Sequence, residues 1–88
     1  MPKFEVVFTE RAQKDLSDLP EHEIEQILSS CLRLEKNPNP DGKHIKKLKG
    51  YKNLYRLRIG DYRAVFECKS NTVTVVRLLT RQDFGKRY

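Results

Sequence analysis

The sequence lacks the residues on which several classes of small protein depend. It has no tryptophan, two cysteines, four glycines and four prolines. Cys31 and Cys68 are isolated and without metal-ligand spacing, which excludes a disulfide framework and favours a reducing cytoplasm. No apolar run approaches the roughly 18 residues of a membrane-spanning helix, and the first residues have no apolar signal-peptide stretch. We therefore expect a cytoplasmic protein with no membrane contact and no metal or other cofactor.

The length of the chain limits the kind of site it can build. Its 88 residues fit a single domain, 1–88, and not two. A chain of this size buries only roughly 60–65% of the surface that its unfolded form exposes. A large internal cavity is therefore not expected, and any site should be a surface groove.

Charge is distributed unequally along the chain. The net charge is +6, but residues 1–40 hold five Lys or Arg against eight Asp or Glu, whereas residues 41–88 hold thirteen against four. An asymmetry of this size favours a polyanionic partner for the second half.

The hydrophobic pattern changes period in the middle of the chain. Residues 3–8 are typical of a strand, Thr9 is placed to cap a first helix, and Pro20 is placed to end it and to open a second. Residues 37–42 predict a loop. From residue 54 onward the period is two, with turns at 60–61 and 69–71, which predicts three hairpin-linked strands. The predicted fold is α+β, in the order β-α-α-β-β-β, with a small antiparallel sheet and both helices on one face.

The opposite face of that sheet is then free to display basic side chains. Arg56 and Arg58 project from the same side of one strand, about 7 Å apart, and Arg63 follows across a tight turn. Like charges on neighbouring strands are destabilising, and an anion bound there would relieve the repulsion. Arg81 follows the last strand, and lysines of the preceding loop lie nearby in sequence: Lys43, Lys46, Lys47, Lys49 and Lys52. Such a surface suits a phosphodiester with stacked bases.

The remaining chemistry-bearing residues give weaker signals. His22 and His44 have no acidic partner at informative spacing, and both cysteines alternate with core positions. Tyr55 and Tyr62 share the parity of the apolar face, so we expect them in the core. The sequence has neither a Gly-rich phosphate loop nor a nucleophile elbow.

Several segments together resemble the RelE/ParE toxin superfamily. They are Lys-Leu-Lys-Gly at 47–50, Leu-Tyr-Arg-Leu-Arg-Ile-Gly-Asp-Tyr-Arg at 54–63, Phe-Thr-Glu-Arg-Ala at 8–12 and Leu-Thr-Arg at 79–81. The resemblance covers essentially the whole chain and implies a RelE-like, microbial-RNase-type fold. It also implies a toxin of a type II toxin–antitoxin system. RelE-like members cleave mRNA in the ribosomal A site without a metal, whereas ParE-like members poison DNA gyrase.

The resemblance implies a set of catalytic residues: Lys49, Arg56, Arg58, Arg63, Arg81 and Tyr88. The expected reaction is attack of a ribose 2′-OH on the adjacent phosphorus. Arginine stays protonated and is a poor base, so the arginines are expected to clamp the phosphate. Lys49 is a conceivable base, because neighbouring cations disfavour an ammonium, and Tyr88 is a conceivable proton-transfer group. The remaining basic loop residues are expected to bind RNA: Lys43, Lys46, Lys47 and Lys52. Glu67 is expected to pair with Arg63.

The end of the sequence departs from the family pattern. Thr80 replaces a residue that is often His or Lys, and Phe84-Gly85 occupies the stretch where a tyrosine is common. Gly85 would loosen a helix that placed Tyr88. The proton-transfer residue therefore stays open.

Two further functions remain as alternatives to the ribosome-dependent mRNA endoribonuclease. One is a ParE-like inhibitor of DNA gyrase, and the other is a non-enzymatic component that binds an antitoxin and represses an operator. The expected partners are the ribosome, mRNA and a RelB-like antitoxin that is acidic and folds on binding. Operator DNA would be contacted only through the antitoxin complex.

Overall fold

The computed structural model describes residues 3–88 and confirms the α+β class. Its elements in chain order are β1 (Glu5–Phe8), α1 (Glu10–Ser17), α2 (Glu21–Leu32), a 3-10 turn (Arg33–Glu35), β2 (Ile45–Lys47), β3 (Leu54–Ile59), β4 (Tyr62–Lys69), β5 (Thr72–Thr80) and α3 (Arg81–Arg87).

The strands form one five-stranded sheet in the order β1-β5-β4-β3-β2. The predicted antiparallel meander is present as β3, β4 and β5. The sheet as a whole is mixed, because β1 pairs parallel with β5; the two helices after β1 supply the crossover that parallel pairing needs. The short strand β2 was not predicted, since three residues are too few to show an alternating pattern.

The two N-terminal helices begin where their capping residues predict. The Thr9 Oγ1 accepts a hydrogen bond from the Ala12 N–H at 3.1 Å, and Pro20 is the N-cap of α2. Ala12, Ile27 and Cys31 are fully or almost fully buried against the sheet. The two helices therefore pack on the sheet through their apolar faces.

The main core lies between these helices and one face of the sheet, around Phe66. The Tyr55 ring stacks on Phe66 with the centroids 5.5 Å apart. The Tyr62 hydroxyl donates to Glu23 on α2 at 2.6 Å, and this bond, with burial and nearby negative charge, raises the pKa of Tyr62. Both tyrosines thus pack on the core side, as predicted from their parity.

The opposite face carries a second, smaller hydrophobic cluster, so it is not left entirely to basic side chains as predicted. Leu48, Val65 and Leu79 are buried there, and Phe84 of α3 packs against them. Helix α3 forms because the Thr80 Oγ1 accepts from the Asp83 N–H at 3.1 Å. A register shift at Val65 and Phe66 in the pairing of β4 with β5 interrupts the simple alternation that the prediction assumed.

Two other kinds of site are absent from the described residues. Between residues 3 and 88, no helix is long and apolar enough to cross a membrane. The same residues contain no group of three or more His, Cys, Asp or Glu side chains that could hold a metal ion.

Candidate nucleic-acid interface

Arg58 and Arg63 face each other across the β3–β4 hairpin. They are direct register partners, and the tight turn at Gly60 and Asp61 joins their strands. Gly60 has φ +56°, the conformation that a two-residue hairpin loop needs and that glycine adopts without a steric penalty. The Arg63 Nη1 donates to the carbonyls of Gly60 and Tyr62, both at 2.9 Å. The Arg63 guanidinium is therefore held over the turn.

Arg81 lies beside the same turn. Its backbone N–H donates to the Asp61 carbonyl at 2.7 Å, directly after β5 ends. Burial lowers the pKa of Arg63, and the positive charges of Arg56, Arg58 and Arg81 lower it further. The four guanidinium groups therefore lie within electrostatic reach of one another, and we call them the arginine cluster.

Arg56 is a partly buried member of the arginine cluster. Its pKa is lowered by burial and then by the charge of Arg58. Its Nη1 donates to the His44 carbonyl at 3.0 Å, and Lys46 on β2 is its direct register partner. The His44 carbonyl thus holds Arg56 in place, and the negative charge of Asp41 only partly opposes the lowering of the Arg56 pKa.

The arginine cluster takes part in no ion pair among residues 3–88. The pairs that the described chain contains are Arg11–Asp15, Arg77–Asp15 and His44–Asp41. The predicted pairing of Arg63 with Glu67 is wrong. Glu67 lies opposite Leu54 and Thr74, and four residues of strand separate it from Arg63 by about 13 Å.

The lysines predicted to bind RNA do not all share a face with the arginine cluster. Lys46 lies opposite Arg56, whereas Lys47 lies opposite Tyr55, whose ring is on the helix-covered side. Lys43 is in the loop that Asp41 organises: the Asp41 Oδ1 accepts three backbone N–H bonds, which lower the pKa of that carboxyl. Lys52 is exposed in the segment before β3. Lys46 therefore has the placement that best matches the prediction.

Lys49 and Tyr88 lie toward the other end of the same face. The Leu48 N–H donates to the Leu54 carbonyl at 3.0 Å, so Lys49 lies near the start of β3, and Leu54 at that start is four strand residues, about 13 Å, from Arg58. An open depression of about 300 Å³ is lined there by Lys47, Leu48, Lys49, Gly50 and Tyr51. The Lys49 backbone therefore lies nearer to the start of β3 than to the turn that joins Arg58 and Arg63.

An aromatic contact fixes the position of Tyr88 despite Gly85. The Tyr88 ring centroid is 5.4 Å from Tyr51 and 5.4 Å from Phe84. The Tyr88 N–H also donates to the Phe84 carbonyl at 2.9 Å. Tyr88 and Tyr51 nevertheless remain 38% and 41% exposed, so their rings are accessible at the Lys49 end of the face.

Sequence reasoning gave no specific role to two residues of this surface. Tyr51 was noted only as a tyrosine close in sequence to the basic cluster, because it lies in an irregular segment where no period assigns a direction to its side chain. Asp61 was interpreted only as a turn residue, yet it lines a second depression of about 510 Å³ together with Thr80, Arg81, Gln82 and Gly85. The sequence signal for Asp61 was its position directly after the turn glycine Gly60 and two residues before Arg63.

Comparison with known proteins gives a consistent result. Residues 6–83 match the family model described as ParE toxin of type II toxin-antitoxin system, parDE. The chain is 36% identical over 81 residues to Toxin RelE3 of Methanocaldococcus jannaschii, covering 89% of this chain and 91% of that protein. It also resembles the toxin in the crystal structure of a RelB-RelE antitoxin-toxin complex from Methanococcus jannaschii, with a TM-score of 0.74, 31% identity, and 93% of this chain and 98% of that chain covered. The RelBE2 toxin-antitoxin complex of Mycobacterium tuberculosis gives a TM-score of 0.79 at 25% identity, with 92% and 100% covered.

Proposed function

This chain belongs to the RelE/ParE superfamily as a RelE-type toxin of a toxin–antitoxin system, and from that premise we propose that it is a ribosome-dependent mRNA endoribonuclease. The proposed reaction needs no metal. A ribose 2′-OH of mRNA in the ribosomal A site attacks the adjacent phosphorus and expels the 5′ oxygen. Translation then stops because the message is cut.

The observation that carries this proposal is the arginine cluster itself. Arg58 and Arg63 are direct cross-strand partners, Arg56 and Arg63 are partly buried, and the described residues offer the cluster no ion pair. Opposed like charges destabilise a sheet. A phosphodiester bound between them would remove that repulsion and accept paired guanidinium N–H donors.

The arginines are suited to hold charge and not to remove a proton. A guanidinium stays protonated at any physiological pH, so each arginine can neutralise the phosphoryl oxygens as negative charge develops on them. Because the donors are held by the sheet before substrate arrives, little reorganisation is needed in the transition state. Arg56, Arg58, Arg63 and Arg81 are assigned this role.

The other predicted site residues are assigned to neighbouring parts of the RNA. Lys49 and Tyr88 would contact a nucleotide at the end of the face where β3 starts. The remaining lysines would bind the RNA backbone or the ribosome: Lys43, Lys46, Lys47 and Lys52.

An antitoxin is the natural protein partner for this surface. The similar chains from Methanococcus jannaschii and Mycobacterium tuberculosis were solved as toxin–antitoxin complexes. We extend that partner to this chain as a RelB-like, acidic segment that folds on binding and covers the arginine cluster in the cytoplasm. Operator DNA would be reached only through the complex.

Primer extension tests the proposed activity directly. Purified protein is incubated with mRNA in the presence and absence of translating ribosomes, together with Arg58→Ala, Arg63→Ala and the matched control Arg33→Ala, which is exposed on the helical side. We expect cuts that require ribosomes and weaken by about a hundredfold in the two cluster variants, but not in Arg33→Ala. Cuts of equal strength in all four proteins would remove the arginine cluster from the mechanism.

Inhibition of DNA gyrase is the second candidate, because the matching family model is that of ParE toxins. A gyrase inhibitor has no need of a phosphate clamp. Growth arrest without mRNA cuts, together with loss of gyrase supercoiling that survives Arg58→Ala and Arg63→Ala, would establish this second candidate in place of the nuclease.

A further inference from the structure

We propose that Asp41 is a positioning residue for Arg56: it orients the two backbone carbonyls that hold the Arg56 guanidinium. This inference rests on the proposed function, since it concerns how one of the phosphate-binding side chains is fixed before substrate arrives. Asp41 lies in the loop directly before β2, and neither the charge pattern nor the family motif gave it a role.

The Arg56 guanidinium has positive charges on two sides. Lys46 is its direct register partner on β2, and Arg58 projects from the same side of β3 two residues later. Burial and then the charge of Arg58 lower the pKa of Arg56, and the negative charge of Asp41 opposes them. An arginine also loses much rotamer freedom when it is ordered. A fixed position for Arg56 therefore requires acceptors close to its guanidinium.

Two successive carbonyls of the loop supply those acceptors. The Arg56 Nη1 donates to the His44 carbonyl at 3.0 Å and more weakly to the Lys43 carbonyl at 3.5 Å. The Arg58 backbone N–H donates to the same His44 carbonyl at 2.8 Å. The His44 carbonyl thus joins the side chain of one cluster arginine to the backbone of the next.

Asp41 binds the N–H groups of the same two peptide units. In a planar trans peptide the N–H and the C=O point in opposite directions, so fixing one also fixes the other. The Asp41 Oδ1 accepts from the His44 N–H, which shares a peptide unit with the Lys43 carbonyl, at 2.7 Å. It also accepts from the Ile45 N–H, which shares a unit with the His44 carbonyl, at 3.0 Å. The Asp41 carboxylate therefore sets the direction of both carbonyls that face Arg56.

Further bonds make this support rigid. The Asp41 Oδ1 accepts a third bond, from the Lys43 N–H at 2.9 Å, and the Asp41 N–H donates to the Ile45 carbonyl at 3.1 Å. Gly42 has φ +77°, a left-handed conformation that glycine adopts without a steric penalty. The three N–H bonds need an oxygen acceptor, which an asparagine side chain also provides. Asp41→Asn should therefore keep the support that Asp41→Ala removes.

The same loop contains a matched control. The Asn37 Oδ1 accepts from the Asn39 N–H at 3.0 Å, which is also a bond from a loop side chain to the loop backbone. Among residues 3–88, no hydrogen bond joins Asn37 or Asn39 to the arginine cluster. Asn37→Ala therefore removes a comparable bond without affecting the acceptors of Arg56.

Single-turnover cleavage of ribosome-bound mRNA tests the effect on the reaction. We expect Asp41→Ala to lower the maximal rate by about ten- to a hundredfold, because misplacing a charge-stabilising group weakens the transition state, with little change in the half-saturating toxin concentration. Asp41→Asn should stay within about threefold of the wild type because it keeps the acceptor, and Asn37→Ala should match the wild type. Equal losses in Asp41→Asn and Asp41→Ala would overturn the proposed role of the hydrogen bonds.

A double-mutant cycle separates positioning of Arg56 from a general loss of structure. In Arg56→Ala the group that Asp41 positions is gone, so adding Asp41→Ala should cost less than about threefold, since only coupled residues depart from additivity. A general disturbance of the loop would lower the rate by the same factor in both backgrounds. Such an equal factor would overturn the proposal.

Amide hydrogen exchange gives a readout that does not depend on cleavage. The Arg58 N–H, which is bonded to the His44 carbonyl, should exchange several-fold faster in Asp41→Ala than in the wild type. The Tyr88 N–H, bonded to the Phe84 carbonyl, serves as the internal reference and should not change. Unchanged exchange at Arg58 would overturn the proposal. Absence of cleavage by the wild type, together with faster Arg58 exchange in Asp41→Ala, would overturn the proposed nuclease while the support of Arg56 by Asp41 stands.

Discussion

Arg58 and Arg63 are direct register partners in the β3–β4 hairpin, and the Arg63 guanidinium is tied back to the carbonyls of its own turn at 2.9 Å. Two like charges are thus fixed opposite each other by backbone geometry. A sheet built only for stability would place a β-branched residue or an opposite charge at one of these positions. The pair therefore costs the free protein some stability, and an anion bound between the two guanidinium groups would remove that cost.

Replacing one member of this pair should therefore stabilise the free protein. We expect Arg58→Thr to raise the free energy of unfolding by about 0.2–1 kcal/mol, the usual size of a cross-strand pair effect. The gain should shrink as salt is added, because Arg58 is exposed and its charge is screened. Urea unfolding at low and high salt measures both effects, with Arg33→Thr as the control. A loss of stability in Arg58→Thr at low salt would contradict the reasoning.

Asp15 should be important for the stability of the edge of β5. Its Oδ2 accepts from the Arg77 Nε at 2.8 Å and from the Leu78 N–H at 3.0 Å, and it lies where β1 no longer covers β5. In Asp15→Ala a partly buried backbone donor loses its partner, which typically costs about 1–3 kcal/mol. Asp15→Asn keeps an acceptor and should lose less. Chemical unfolding of the three proteins gives the ranking; equal stability of Asp15→Ala and the wild type would contradict it.

Tyr51 should hold the last turn of α3 in place. Its ring contacts Tyr88 with the centroids 5.4 Å apart, and aromatic pairs contribute about 0.5–1.5 kcal/mol beyond their buried area. In Tyr51→Ala the Tyr88 N–H, which donates to Phe84 at 2.9 Å, should exchange with solvent several-fold faster. Tyr51→Phe keeps the ring and should exchange at the wild-type rate. Amide hydrogen exchange followed by NMR distinguishes these outcomes. An exchange rate in Tyr51→Ala equal to that of the wild type would show that the last turn of α3 is stable without the contact to Tyr51.

Cys31 should make stability fall at high pH. Burial raises the pKa of its thiol from 9.0 to about 12. Because the folded pKa is the higher one, the contribution is fully present below pH 9 and is lost as the pH rises from 9 toward 12. The difference in unfolding free energy between the wild type and Cys31→Ala should be constant from pH 6 to 8 and should shift against the wild type above pH 9. A difference that stays constant up to pH 10.5 would contradict the burial of this thiol.

The course of the chain was predictable wherever local chemistry determines it. The Thr9 cap, the Pro20 boundary and the glycine turn at 60–61 each depend on a few adjacent residues, and all three are present. The alternation of Tyr55, Leu57 and Ile59 with Arg56 and Arg58 identified the core side and the basic side of β3. The family motif within 47–63 identified Arg56, Arg58 and Arg63 from the sequence.

Long-range pairing was not predictable in the same way. Parallel pairing of β1 with β5 joins residues 67 positions apart, as at Glu5 and Thr72, and no local pattern encodes it. The three residues of β2 carry too little periodicity to be recognised, and their pairing decides that Lys46 and not Lys47 joins Arg56. The irregular register of β4 against β5 near Val65 likewise arises between strands and not within one.

By itself, the sequence determined the α+β class, the basic second half and the family, because composition, period and motif are properties of adjacent residues. Only the tertiary structure decided which charges meet. It brought Arg81 to the turn of Asp61, placed Lys49 near the start of β3, and left Glu67 too far away to neutralise Arg63. Distances between side chains depend on strand register and on where the chain returns, and those are fixed only when the sheet is assembled.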